Sequence, residues 1–253
     1  MVSQTISPQH PMLKIGLLEC GHVQAEFRSS LGGDYRDVFP AYFERAGAVD
    51  WKFEFYDACN GQFPENIHDC DAYICTGSPS SVYDEPMWIS GLKLFVQRLW
   101  EAQKTFVGVC FGHQILAEAL GGSVHKSSNG WCVGVHEMDV LVQKNWMQPS
   151  QSQYNLLMMC QDQVQVLPPE AVHLARTEQC EIAMFQVGQT MLGIQAHPEF
   201  TRAYNEVLMH DRVARMGEQT VENGLKSLSK STHEITIGQW IIRFIESQNQ
   251  PKS

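Results

Sequence analysis

The segment Lys104-Thr-Phe-Val-Gly-Val-Cys110-Phe-Gly-His-Gln-Ile-Leu-Ala-Glu-Ala-Leu-Gly-Gly122 constrains the fold more than any other stretch of the chain. Phe106–Val109 is a short apolar run suited to a buried strand, and Gln114–Leu120 has apolar residues at helical spacing, closed by Gly121 and Gly122. Nothing between them can serve as a long connection, so the strand must pass into the helix through a sharp turn. Gly108 and Gly112 flank Cys110 two positions away on each side, where side chains would collide in such a turn. This is the pattern of a nucleophile elbow with cysteine at its tip. It would lift Cys110 above the C-terminal edge of a sheet, where helix N–H groups favour a thiolate and remain open to a developing oxyanion. A buried structural cysteine is the plain alternative, and the paired glycines in a strand–turn–helix setting count against it.

The rest of the chain supplies the matching architecture. Met12–Leu18, Trp51–Tyr56 and Ala72–Cys75 read as strands, whereas Val38–Ala46 and Trp88–Glu101 read as helices. Alternation of this kind predicts an α/β fold, an open and mostly parallel sheet with helices on both faces. Short alternating runs between Ser123 and Ile194 (Val133–Val142, Val172–Arg176, Ile182–Val187 and Met191–Gln195) predict a small antiparallel extension. Arg202–Met216 and Ile235–Ile245 read as helices separated by a polar segment, and Glu19–Asp37 and Met147–Asp162 as loops walling the pocket. No repeat or Pro/Gly/Ser-rich linker divides the chain, so residues 1–253 are expected to form one domain, with a core at 12–200 and a helical segment at 201–247.

A thiolate needs a base and a group that orients the base. In Met191-Leu-Gly-Ile-Gln-Ala-His197-Pro-Glu199, an extended backbone places His197 and Glu199 on the same side, and Pro198 stiffens that relation. Glu199 can then hold the imidazole proton that faces away from Cys110. A surface histidine and glutamate at a strand end would look the same in isolation. A third strand runs into Thr76-Gly77-Ser78-Pro79-Ser80-Ser81-Val82-Tyr83, which is also acceptable as an ordinary turn. Gly77 permits a close turn there, and the N–H groups of Ser78 and Phe111 are the expected oxyanion donors. Ser78 lacks an elbow of its own and is a poor nucleophile.

At these residues the chain resembles the class I, triad-type glutamine amidotransferases, whose fold is flavodoxin-like. Gly108-Val-Cys110-Phe-Gly112-His113-Gln114 is similar to the family's nucleophile motif and His197-Pro-Glu199 to its second motif. The 76–83 loop is similar to the oxyanion loop of the glutaminase part of GMP synthase, and the resemblance spans roughly Leu13 to Phe200. It implies hydrolysis of a γ-glutamyl amide through a γ-glutamyl thioester on Cys110, with His197 as proton carrier. It implies that Gln114 helps hold the glutamyl group and that the loop after Gly121-Gly122 up to Gly130-Trp131 borders the pocket; His113 reads as a structural residue packed beneath the elbow rather than a second base. Where relatives of the GMP synthase type carry Ser-His-x-Asp, this chain has Cys160-Gln161-Asp162, which leaves Asp162 to bind the substrate's α-amino group. Stand-alone γ-glutamyl peptidases and GMP synthase-like proteins belong to the same resemblance.

Composition narrows the partners. With 28 acidic and 18 basic residues the formal charge is −10, which repels a phosphate backbone, so nucleic acid is not expected. Residues 1–14 lack the features of a secretory signal, and no apolar run approaches the ~20 residues of a membrane span. Eight scattered cysteines without a Cys-x-x-Cys pair suggest reduced, mostly buried thiols and a cytoplasmic protein. Neither Cys20-Gly-His22 nor the other histidines show zinc spacing, and both a P-loop and Gly-x-Gly-x-x-Gly are missing, so no metal or cofactor is expected. The signature of an adenylating pyrophosphatase is also missing, and about fifty residues follow position 200, too few for a second catalytic domain. Three readings stay open: an autonomous hydrolase of a small γ-glutamyl substrate, a glutaminase subunit supplying ammonia to a separate synthetase, and a catalytically silent scaffold.

Overall fold

The structure, a computed structural model, describes residues 12–84 and 86–249. The signal-peptide reading of the N-terminal residues falls largely outside that range. The first half runs β1 (Lys14–Leu18), α1 (Arg28–Leu31), α2 (Tyr35–Ala46), β2 (Lys52–Tyr56), β3 (Ala72–Cys75), α3 (Met87–Glu101), β4 (Thr105–Val109) and α4 (Phe111–Ala119). The second half begins with β5 (Ser123–Lys126), β6 (Cys132–Val140), β7 (Gln153–Cys160), β8 (Asp162–Val166), β9 (Ala171–Arg176), β10 (Met184–Val187) and β11 (Met191–Ile194). It ends with α5 (Arg202–Asp211), α6 (Val213–Met216), α7 (Glu218–Ser227) and α8 (Glu234–Gln248).

Nine strands form one sheet in the order β2-β1-β3-β4-β11-β10-β9-β6-β7, with β5 and β8 pairing as a separate ribbon. The pairings from β2 through β11 are parallel and those from β11 through β7 antiparallel. The mixed α/β architecture is therefore present, and the antiparallel part continues the main sheet. Strands β3, β4 and β11 are buried along their whole length, which explains their unbroken apolar runs.

Alternate residues of the central strands feed two apolar clusters. Ile15, Leu17, Ala72, Ile74, Val107 and Val109 point into one, together with Phe39 and Phe43 of α2 and Ile241 and Phe244 of α8. Leu18, Tyr73, Cys75 and Phe106 point into the other, with Leu92 and Val96 of α3 and Ile115 and Leu116 of α4. This two-fold periodicity, sampled on both faces, is the signature of a sheet covered by helices on each side. Helix α2 starts at a capping box between Asp34 and Asp37, and Gly47 ends it in the left-handed region at φ 117°.

Three sequence expectations need correction. Met147–Asp162, read as a pocket loop, contains strand β7; its Leu-Leu-Met-Met run lacks the β-branched residues that mark strands. The polar segment after Met216 contains α7, which buries only Val221 and Gly224. Gly224 packs directly over β6, so this helix docks through a close backbone approach, without the broad apolar stripe that would reveal it in sequence. The single helix expected over Arg202–Met216 also breaks, between Asp211 and Val213.

Candidate active site

Parallel register brings three strand ends together. Cys75 of β3 lies beside Gly108 of β4, and Gly108 beside Gly193 of β11, so the chain leaves all three strands at one edge. The Thr76–Tyr83 loop, Cys110 and the Gln195–Glu199 segment converge there.

Cys110 has φ 53° and ψ −100°, a backbone conformation rare for a residue with a side chain. The turn needs both flanking glycines. A Cβ at Gly108 would sit 2.1 Å from the Gly112 carbonyl oxygen, and one at Gly112 would sit 2.5 Å from the Cys75 carbonyl oxygen. Helix α4 thus lies directly on the sheet, and Cys110 stands at its N-terminus with its own N–H bonded to the Ile194 carbonyl at 2.8 Å. The N–H of Phe111 belongs to the first helical turn and has no acceptor within the helix.

His197 is buried, and its Nδ1 lies 2.8 Å from Glu199 Oε1. Glu199 is buried as well, and among the described residues its Oε2 has no hydrogen-bond partner. With Nδ1 turned to Glu199, Nε2 is the imidazole nitrogen left for Cys110, whose sulfur acts on the ring electrostatically. Burial works against a charged imidazole, but the Cys110 sulfur and the Glu199 carboxylate outweigh it and push the His197 pKa up to about 10. The Phe200 ring stacks on the imidazole at 3.8 Å and 15°, and the His197 N–H donates to the Leu157 carbonyl at 2.9 Å, so ring and backbone are both held. Gly77 completes the fit, because a Cβ there would lie 3.0 Å from His197 Cε1.

The other expected residues gather around this pair. Ser78 borders Cys110 on both sides of the site. The Gln114 side chain donates to the Asp162 carbonyl at 2.7 Å and to Gln195 Oε1 at 3.1 Å, which leaves its own carbonyl oxygen for a ligand. The Asp162 carboxylate accepts hydroxyl bonds from Ser81 and from Tyr83, pinning the 76–83 loop across the pocket. His113 is fully buried beneath the elbow against Phe185, and desolvation drives its pKa down to about 3.

Several neighbours were not anticipated. Gln195 donates to Cys110 Sγ at 3.5 Å and joins it to Gln114. Its signal in sequence was only its place two residues before His197. Two cavities meet at Cys110. One, of about 120 Å³, is bordered by Gln114, Asp162, Lys126, Trp131 and Arg215, and the other, of about 60 Å³, by His197, Tyr35, Phe200, Tyr204 and Leu208. Arg212 borders both, supplied by the unforeseen break between α5 and α6. A larger cavity of about 540 Å³, beside Trp146 and Arg243, shares no lining residue with these two.

The absence of metal spacing in sequence did not foresee a second cluster at the ends of β1 and β2. His22, Asp57 and Cys59 bring possible ligand atoms within 4.8 Å of one another. As it stands the cluster is a hydrogen-bonded brace. His22 lies 3.2 Å from Asp34 through Nδ1 and 3.2 Å from Asp57 through Nε2, and the Cys59 thiol donates to Asp57. All eight cysteines are free, and all except Cys59 are buried. Among the described residues no helix is long and apolar enough to cross a membrane.

Fold and strand-edge site together define a protein of the class I glutamine amidotransferase type. Comparison with known proteins agrees: residues 45–215 match the family model described as glutamine amidotransferase class-I, and the chain belongs to that family. It is 29% identical over 220 residues to gamma-glutamyl peptidase 3 of Arabidopsis thaliana, a match covering 83% of this chain and 85% of the relative. It is 34% identical over 113 residues to a glutamine-hydrolyzing GMP synthase subunit of Methanosarcina mazei, covering 44% of this chain and 59% of the relative. Its fold is similar to that of a glutamine amidotransferase from Thermotoga maritima, with a TM-score of 0.72, 16% identity, and coverage of 94% of this chain and 99% of the other. The chain is thus a catalytic-type member of a superfamily whose typical activity is cysteine-dependent amide hydrolysis on glutamine or γ-glutamyl substrates.

Proposed function

We propose that the chain is an autonomous hydrolase of γ-glutamyl amides, with Cys110 as nucleophile, His197 as proton carrier and Glu199 as the group that orients His197. The observation that carries this reading is the strained turn at Cys110, set beside an imidazole whose far nitrogen is held by a buried carboxylate. Cys110 sulfur adds to the γ-carbonyl carbon, and the oxyanion is met by the N–H groups of Ser78 and Phe111. The carbon–nitrogen bond then breaks, its electron pair goes to nitrogen, and His197 supplies the proton that nitrogen takes up. Water next attacks the thioester and gives a proton to His197, releasing glutamate and regenerating the sulfur.

Gly77 keeps the imidazole close, and the Gln114 carbonyl oxygen faces the glutamyl group. Asp162 binds the α-amino group, since a carboxylate with two hydroxyl donors keeps lone pairs to spare.

Glutamate release from glutamine and from γ-glutamyl dipeptides tests this reading, together with alkylation of Cys110 by a glutamine-like electrophile. No turnover and no alkylation would leave a silent scaffold. The second enzymatic reading, an ammonia supplier for a separate synthetase, draws on the likeness to the Methanosarcina mazei GMP synthase protein. That reading expects the oxyanion loop to await a partner. Here the loop is already fastened through Ser81 and Tyr83 to Asp162, and through Thr76 Oγ1 to the Cys20 N–H, which favours activity without a partner.

A further inference from the structure

The two cavities that meet at Cys110 differ in chemistry, and the proton path says which is which. A departing nitrogen must take its proton from His197, and His197 borders only the 60 Å³ cavity. Its walls include Tyr35, Phe200, Tyr204 and Leu208 beside the polar His22 and Gln24, with one guanidinium, Arg212, at the junction. Ammonia needs neither an apolar wall nor a cation, and the cavity, about the volume of two waters, would seat only the part of a larger leaving group next to the scissile nitrogen.

Arg212 is half-buried, and among the described residues its side chain has no hydrogen bond or ion pair, yet its charge reaches the Tyr35 and Tyr204 hydroxyls. An unpaired arginine at the pocket of a chain with net charge −10 is suited to an anion.

We propose that this cavity receives the leaving group and that Arg212 binds a carboxylate on the departing amine. The preferred substrates are then γ-glutamyl amides of amino acids or short peptides whose first residue is apolar, ahead of glutamine itself. The proposal rests on the hydrolase reading above and narrows its substrate class. Cleavage is the same acyl transfer, with the amino acid leaving as a neutral amine that keeps its carboxylate.

The test compares kcat/KM for γ-glutamyl-leucine, γ-glutamyl-leucinamide and glutamine in the wild type, Arg212→Gln and Arg212→Lys, with circular dichroism confirming that each variant is folded. A charge-assisted bond predicts that the wild type prefers the leucine over the leucinamide compound by roughly 10- to 100-fold, mainly in KM. Arg212→Gln should collapse that ratio toward one, and Arg212→Lys should keep part of it. A ratio unchanged by Arg212→Gln would overturn the proposal. So would an equal loss on all three substrates, which would place Arg212 on the glutamyl carboxylate. Turnover without any preference in the wild type sinks the leaving-group assignment alone. Complete inactivity with unmodified Cys110 sinks the hydrolase reading first.

Discussion

At Cys110 the backbone adopts φ 53°, which a residue bearing a Cβ keeps only when its surroundings hold it there. Two consequences separate strain from chemistry. Cys110→Ala should abolish γ-glutamyl hydrolysis while leaving the circular dichroism spectrum intact. Cys110→Gly, equally inactive, should unfold at a higher temperature than the alanine variant by an amount equivalent to about 1 kcal/mol, because glycine accepts the conformation freely. The neighbouring imidazole makes stability depend on pH. Its folded pKa of about 10 lies above the ordinary 6.5, so the folded state binds a proton that the unfolded chain releases between those values. That contribution is complete below about pH 6.5 and disappears as pH rises through 10. Urea midpoints should therefore fall across this window in the wild type, and the fall should shrink in Cys110→Ala, which removes the sulfur that does most to raise the imidazole pKa. Glu199→Gln should slow turnover more mildly than His197→Asn, and full activity in the glutamine variant would refute an orienting role for Glu199.

The site owes its assembly to elements lying closer together than most side chains allow. Helix α4 rests on β3 and β4 through Gly108 and Gly112, and a methyl at either position would run into backbone oxygen, which cannot step aside as a side-chain tip could. Gly108→Ala should destabilise the fold by about 3 kcal/mol and lower activity in proportion to the population lost, as read by denaturant midpoints. These glycines were legible in sequence because their spacing around Cys110 has one steric explanation. The same holds for the core strands, whose apolar runs are continuous. His197 and Glu199 do come together, but through a turn in which the Phe200 N–H reaches the His197 carbonyl at 3.4 Å, where an extended run was expected. Other parts were hidden. Strand β7 is built from Leu and Met with little strand signature, and α7 docks through Gly224 with few buried side chains. Gln195 and Arg212 reach the site only through tertiary placement, one by register with β4 and the other by a helix break, and linear spacing records neither.

Over the whole molecule, α8 closes one face of the sheet. It buries Ile237, Trp240, Ile241, Phe244 and Ile245 in the same cluster as α2 and β1, and the Trp240 indole donates to the Pro149 carbonyl at 2.9 Å. We propose on this basis that the chain unfolds as one domain, with the C-terminal helices part of the cooperative unit. Tryptophan fluorescence and far-ultraviolet circular dichroism should give coincident urea transitions. Trp240→Ala should shift both together, by about 3–5 kcal/mol. Separate transitions would assign residues after 200 to an independent unit.

All of the chemistry converges on one covalent species. Rapid acid quenching during turnover of a γ-glutamyl substrate, followed by peptide mass spectrometry, should find a single γ-glutamyl group on the peptide carrying Cys110, absent when substrate is omitted. Continued hydrolysis by Cys110→Ala, or an adduct on a different cysteine, would contradict the account.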